Sequence, residues 1–400
     1  TRGVGMMNRP TVGMVRCPGY NVGRRRQAVE EALFSIPAAR EVLISGAKVL
    51  LKPNLLSPWD PPERAVNTHP AFVKAVAELC ISLGCTVRIG DSCGSLGDGT
   101  TSRAMSVTGL PEVAEQTGAE LVDFDRYPAV AVRCPDAEVL REPFKVSAAY
   151  CEADVVVTLP KFKTHGLTLL TGAVKNQFGM IPGRGKKEVH LKAPRPEKMA
   201  RALVDVYSTV RPHLAVMDGI LAMEGAGPTA GDPRELGLVL ASDDGVALDA
   251  AQAAVIGVAE GAVLTTRYAD ERGVGIGRLS HIDVVGVPLT DVVVADFRKP
   301  ATGAQNALMN LVPESAVRWL FSQFGGTHPR VDHGKCVLCG ECVKNCPASA
   351  LSRADGRVQV DASRCIACYC CTEVCPHRAI TMVQSPLHRI LAAVRRDGRA

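Results

Sequence analysis

Nine of the fifteen cysteines fall within the last 65 residues, in two runs of matching spacing. CVLCGECVKNC occupies 336–346 and CIACYCCTEVC occupies 365–375, and proline follows each. Three thiolates at this spacing wrap one iron–sulfur cubane from a tight loop, and the fourth is carried away to ligate a second cubane. The spacing therefore predicts one [4Fe-4S] cluster on Cys336, Cys339, Cys342 and Cys375. A second falls on Cys365, Cys368, Cys371 and Cys346. Pro347 and Pro376 turn the chain away from the ligands, and Gly340 relieves crowding between them. Two C-x-x-C pairs alone would suit zinc, but a third and a fourth cysteine in each run do not. Cys370, the extra thiol in the second run, reads as a small side chain outside the ligand set.

A paired cubane module moves electrons singly between a donor and a destination. The elements upstream must supply that destination or a platform for it. Apolar, β-branched runs at 11–17, 47–52, 86–90, 120–124, 154–159, 214–217, 236–241 and 282–287 read as strands. Helical patterns at 69–84, 110–119, 196–210 and 246–257 lie between them. Continuous apolar strands alternating with helices predict an α/β fold, a mostly parallel doubly wound sheet with helices on both faces. The expected organisation is an α/β domain over 11–300, a helical connector over 301–327, a small α+β ferredoxin-like two-cluster domain over 328–382, and a basic tail over 383–400. Each half of the small domain is expected to give two strands and one loop of ligands.

Ligands of open parallel sheets bind beyond the carboxyl ends of the strands. Polar residues gather there. Lys52 and Asn54 follow the second strand, Asp91 and Ser92 the third, Lys161, Lys163 and His165 the fifth, and Asp218 and Glu224 the sixth. The stretch 159–192 is rich in lysine, including Lys175 beside Asn176, and is interleaved with glycine. It reads as a pocket wall for an anionic substrate, with a solvated basic loop as the plainer alternative. No Walker lysine motif and no dinucleotide fingerprint is present, so no intrinsic ATP or NAD site is expected.

KPNLL, GDS, the K-x-K-x-H and KN-x-x-G block, and DGILAMEGAGP together resemble domain-of-unknown-function family 362. Many members of that family also carry a C-terminal double-cubane ferredoxin module. The resemblance implies an iron–sulfur redox protein without naming a reaction. It also implies that Lys52, Asn54, Asp91, Lys161, His165, Lys175, Asn176, Asp218 and Glu224 belong to the family's own pattern.

Composition narrows the remaining classes. Four hundred residues allow two or three domains. The formal charge of +5 is offset by clusters carrying about −2 each. The aromatic share of 4% and the lack of a recognition motif argue against nucleic-acid binding. No run of apolar residues is long enough for a membrane span, no secretory signal opens the chain, and ligand-spaced thiols fit a reducing compartment, so cytoplasm is expected. The other six cysteines read as buried small side chains.

The resulting expectation is an iron–sulfur oxidoreductase. Electrons would pass from an external low-potential donor, such as a ferredoxin or flavodoxin, through two [4Fe-4S] clusters. They would reach a small anionic substrate with an activated double bond or ring. Lys52, Asn54, Asp91, Ser92, Lys161, Lys163 and Asn176 would bind it. His165, Lys175, Asp218 and Glu224 would be catalytic, with His165 and one of the two carboxylates supplying a proton. The alternative is a non-catalytic electron-transfer or assembly partner that docks another redox protein. A third reading gives the large domain a further cofactor such as a flavin, which no motif supports.

Overall fold

The computed structural model describes residues 9–95, 97–300 and 327–383. The expected connector, apart from its last residue Thr327, and the basic tail beyond 383 lie outside the described residues. Ten strands form one sheet: β1 (Thr11–Arg16), β2 (Lys48–Pro53), β3 (Thr86–Asp91), β4 (Glu120–Asp123), β7 (Val155–Leu159), β8 (Lys161–His165), β9 (Leu169–Thr171), β10 (Leu214–Glu224), β11 (Asp232–Ser242) and β12 (Asp283–Gly286). Strands β5 (Ala129–Val132) and β6 (Phe144–Ser147) make a separate antiparallel pair. The main path runs β12-β1-β11-β10-β7-β2-β3-β4, with β8 pairing β10 and β9.

The centre of the sheet is parallel from β10 through β4. Its inner strands carry unbroken apolar runs, Val49–Leu51 and Val155–Val157, because both faces are covered there. Val49 and Leu51 point into a core shared with the helices Val22–Phe34 and Pro70–Ser82, whereas Leu50 enters the core under the helix Pro196–Thr209. Burying each such side chain contributes about 1.5–3 kcal/mol. Asp244 starts the helix Gly245–Val255 by accepting hydrogen bonds from the amides of Val246 and Ala247.

Two features differ from the sequence expectation. β11 runs antiparallel between β1 and β10, because it returns from β10 through a short turn rather than a crossover helix. An apolar run looks the same in either direction. The 161–165 segment, expected as post-strand loop, is a strand with all five residues buried. It pairs with β10 so that Lys161 stands opposite Asp218.

The cysteine region has four short strands, β13 (His328–Val331), β14 (Leu351–Ala354), β15 (Arg357–Val360) and β16 (Ile380–Val383). Moving 29 residues along the chain carries Cys336 onto Cys365, Cys346 onto Cys375, β13 onto β15 and β14 onto β16. The strands pair between the halves: β13 with β16 and β14 with β15. The same shift relates left-handed residues: Leu338 with Ala367, Gly340 with Tyr369, and Ser349 with Arg378.

Candidate functional site

The eight cysteines of the two runs that carry the ligand spacing converge on two small cavities. One, of about 340 Å³, is lined by Cys336, Cys339, Cys342 and Cys375. The other, of about 290 Å³, is lined by Cys346, Cys365, Cys368 and Cys371. The walls are otherwise largely apolar, with Val331, Val358 and Ile380 at the first and Leu351, Ile366 and Met382 at the second. The fourth cysteine of each run accepts a backbone hydrogen bond: Ala350 N donates to Cys346 Sγ at 3.1 Å and Ala379 N to Cys375 Sγ at 3.3 Å. Amides aimed at sulfur suit cluster ligation, so the residues present fit iron–sulfur clusters.

A larger cleft, of about 770 Å³, lies between the carboxyl edge of the sheet and the cysteine region. The sheet side contributes Lys52, Asn54, Asp91, Ser92, His165, Lys175 and Asn176. The opposite side contributes Asn345, Cys370, Glu373 and Val374. Seven of the expected site residues thus share one wall.

Their states differ. Lys52 Nζ and Asp91 Oδ1 form a buried ion pair at 2.7 Å. Burial outweighs their attraction, lowering the lysine and raising the aspartic acid from their ordinary pKa values. Asp91 also accepts the amides of Leu55 and Ser92, and Asn176 donates to Thr158 Oγ1 and to Lys52 O. A β-carbon at Gly179 would fall 2.0 Å from Asp91 Oδ1, so that position must remain glycine for the pair to fit. Ser92 is held by Lys186, whose ammonium donates to the Ser92 hydroxyl and carbonyl.

Lys175 is the exception. It sits in a helical turn, Ala173–Asn176, anchored by Asp249, which accepts the amides of Ala173 and Val174. Its ammonium makes no side-chain hydrogen bond among the described residues, and burial lowers its pKa, with Glu373 opposing the shift. Asn54 Oδ1 and His190 Nδ1 also line the cleft without a hydrogen-bond partner.

His165 is buried and accepts the Leu167 amide at Nδ1, 3.0 Å away, which leaves Nε2 as the protonated nitrogen of the neutral ring. Nε2 lies 3.3 Å from Glu373 Oε1, a close polar contact outside the geometry of a hydrogen bond. Burial, with Lys175 adding to it, lowers His165 to about 4. Glu373 is lowered to about 2, its burial being overcome by His165 and Lys175.

The remaining expected residues are engaged elsewhere. Lys161 Nζ pairs with Asp218 Oδ2 at 2.7 Å, and Tyr20 hydroxyl donates to Asp218 Oδ1 at 2.9 Å; both charged residues are fully buried. Lys163 donates to Val66 O, and burial drives its pKa well below the ordinary value. Glu224 receives Arg298 Nε at 2.8 Å. None of these four lines the cleft. The carboxylate beside His165 is therefore Glu373 rather than Asp218 or Glu224, because β10 sets Asp218 against Lys161 and Glu224 against Arg298.

A family model described as a domain of unknown function (DUF362) matches residues 49–254, and a 4Fe-4S dicluster domain matches 328–376. The chain belongs to the DUF362 family. The second match makes its cysteine region a ferredoxin-type, iron–sulfur-binding domain that supports electron transfer. The thylakoid-associated protein sll1697 of Synechocystis sp. is 33% identical over 242 residues, which is 60% of this chain and 72% of that protein. The lactate racemase apoprotein from Thermoanaerobacterium thermosaccharolyticum is similar at 11% identity and a TM-score of 0.35, covering 54% of this chain and 51% of that one, so about half of its length is spanned. Among the described residues of this DUF362 protein, no helix is long and apolar enough to cross a membrane.

Several residues that hold the cysteine region against the sheet edge went unnoticed in the sequence. Tyr369 occupies the left-handed position that Gly340 holds in the first half, at φ 67°. A β-carbon at Gly166 would meet its ring at 2.8 Å, so ring and glycine pack face to face. Arg378 pairs with Asp60 at 2.7 Å and donates to Thr229 O, while Thr229 Oγ1 donates to Thr372 O. These contacts seat the ferredoxin-type domain on the sheet edge. The 29-residue repeat was the available signal: the second half departs from the first at Cys370 and Glu373, which line the cleft, and at Tyr369, which packs on Gly166.

Proposed function

We propose that this DUF362 protein is an iron–sulfur oxidoreductase that reduces a small anionic substrate in the cleft between sheet edge and ferredoxin-type domain. Two [4Fe-4S] clusters, one on Cys336, Cys339, Cys342 and Cys375 and the other on Cys346, Cys365, Cys368 and Cys371, supply single electrons, drawn from a low-potential donor such as a ferredoxin or flavodoxin, for an activated double bond or ring. The observation that carries this reading is that one cleft has walls from both parts of the chain, with an ammonium free to take a ligand.

Lys175 binds the anionic group of the substrate. Its lowered pKa also suits it to release a proton as negative charge develops. His165 offers Nε2–H as a neutral donor, held in orientation by the Leu167 amide and Glu373. Asn54 Oδ1 accepts a donor from the substrate. The Lys52–Asp91 pair is satisfied internally and keeps the wall rigid. Glu373, Val374 and Asn345 cap the cleft and limit access of water.

The test compares anaerobically purified holo-protein with Lys175→Met. Small molecules released from each are identified by mass spectrometry, with iron and sulfide measured in parallel. The wild type should release a small anion that the variant lacks, at equal iron and sulfide. A wild type free of bound small molecule under reducing conditions, or a variant that retains the same one, would sink the proposal.

A further inference from the structure

The two halves of the ferredoxin-type domain share a 29-residue repeat but not an environment. Cys339 and Cys368 occupy the same place in the two halves. Cys339 is exposed, the only one of the eight lining cysteines that is. Cys368 is turned inward, with its sulfur within 4.8 Å of a ring nitrogen of His190 and of Cys370 Sγ, and both of those residues line the cleft.

The neighbouring positions repeat this contrast. Val337, two residues before Cys339, is 59% exposed, whereas its counterpart Ile366 is partly covered. Gly340 leaves the surface beside Cys339 low, with the Arg353 guanidinium lying against it. Its counterpart Tyr369 fills the same place with a ring packed on Gly166 of the sheet domain. One face of the repeat is thus occupied by the chain's own α/β domain, whereas among the described residues nothing comparable covers the equivalent face at Val337 and Cys339. A sulfur edge at the surface, one exposed valine and the exposed Arg353, with Lys335 held to Asp332 at 3.8 Å, suit a protein contact with an acidic rim.

We infer that electrons enter at Cys339 and leave toward the cleft at Cys368, and that the face around Val337 docks an acidic one-electron donor protein. This inference rests on the proposed reductase reading, to which it adds a direction and a docking face. The transfer would be one electron per encounter: the donor would lose one electron, a cluster held by Cys336, Cys339, Cys342 and Cys375 would gain it, and no bond would be made or broken.

The experiment uses the anaerobic, fully loaded protein and follows loss of cluster absorption in a stopped flow. The reductants are reduced bacterial ferredoxin, reduced flavodoxin and dithionite. The variants are Val337→Glu and, as a control on the other domain, Leu191→Glu, which replaces a side chain 50% exposed. Iron and sulfide are measured in every sample. Val337→Glu should slow reduction by the protein donors about tenfold, leave dithionite within about twofold, and leave Leu191→Glu at the wild-type rate. Equal protein-donor rates in Val337→Glu and wild type would overturn the inference, as would equal slowing in Leu191→Glu or a wild type inert to both protein donors. The outcome is separable from that of the reductase proposal: slowed reduction by Val337→Glu with no ligand in the cleft would keep the direction and discard the substrate.

Discussion

Glu373 Oε1 stands 3.3 Å from His165 Nε2, so a residue of the second cysteine run completes the wall of a cleft that begins at the sheet edge. The contact joins positions more than two hundred residues apart in sequence. Replacing Glu373 with Gln keeps the shape and removes the charge that opposes burial at both His165 and Lys175. Both pKa values should fall further, seen for His165 by NMR titration of its ring in the apo or diamagnetic state. A His165 pKa unchanged or raised would contradict the contact.

Cys346→Ala should damage the cluster associated with 365–371 and spare the one associated with 336–342. Iron content should fall by up to about half, and the surviving electron paramagnetic resonance signal should match that of a Cys375-intact site. Loss of the signal nearest in sequence would reverse the ligand assignment.

Lys161 and Asp218 are expected to matter to stability rather than to ligand binding. Removing one partner leaves an uncompensated buried charge, so Lys161→Met should cost about 3–5 kcal/mol in urea unfolding. The double variant Lys161→Met with Asp218→Leu should recover part of that loss. A single variant as stable as wild type would show that the pair is not held in the fold.

Gly166→Val should disturb the seat of Tyr369, since even a β-carbon there lies 2.8 Å from the ring. The expected cost is about 1–3 kcal/mol. Hydrogen exchange should quicken in 369–378 and around Thr229, while the parallel strands β2 and β3 keep their protection.

Stability should fall as pH drops from about 6.5 toward about 4. His165 and His190 are both lowered from 6.5 to about 4 by burial, so the unfolded chain takes up protons in that window before the folded one does. Unfolding is then favoured by acid, and the stabilisation is complete above the unfolded value. Comparing urea midpoints at about pH 7.5 and about pH 5, His190→Phe should lose roughly 1–2 kcal/mol less than wild type. An equal loss would mean that His190 titrates normally in the fold.

The sequence disclosed some parts of this arrangement better than others, and the reasons are physical. The cysteine sets could be read because ligand spacing is local and its chemistry is specific. Lys52 and Asp91 could be placed because continuous apolar strands announce where they end. The strand Lys161–His165 was hidden because its lysines are buried by pairing with Asp218 and with a carbonyl, which an apolar pattern does not record. The direction of β11 was hidden because alternation carries no sense of polarity. Glu373 and Tyr369 were missed because docking between remote segments leaves no period in the chain.

The replacement of Gly340 by Tyr369 makes the two halves of the small domain non-exchangeable. A chain in which the first half were written twice would keep its ligand spacing and lose its anchor on Gly166. One in which the second half were written twice would carry two anchors and one place to lodge them, leaving a sticky ring where the first half now offers a smooth surface. The repeat thus provides two equivalent sockets, and a single tyrosine gives the pair a front and a back.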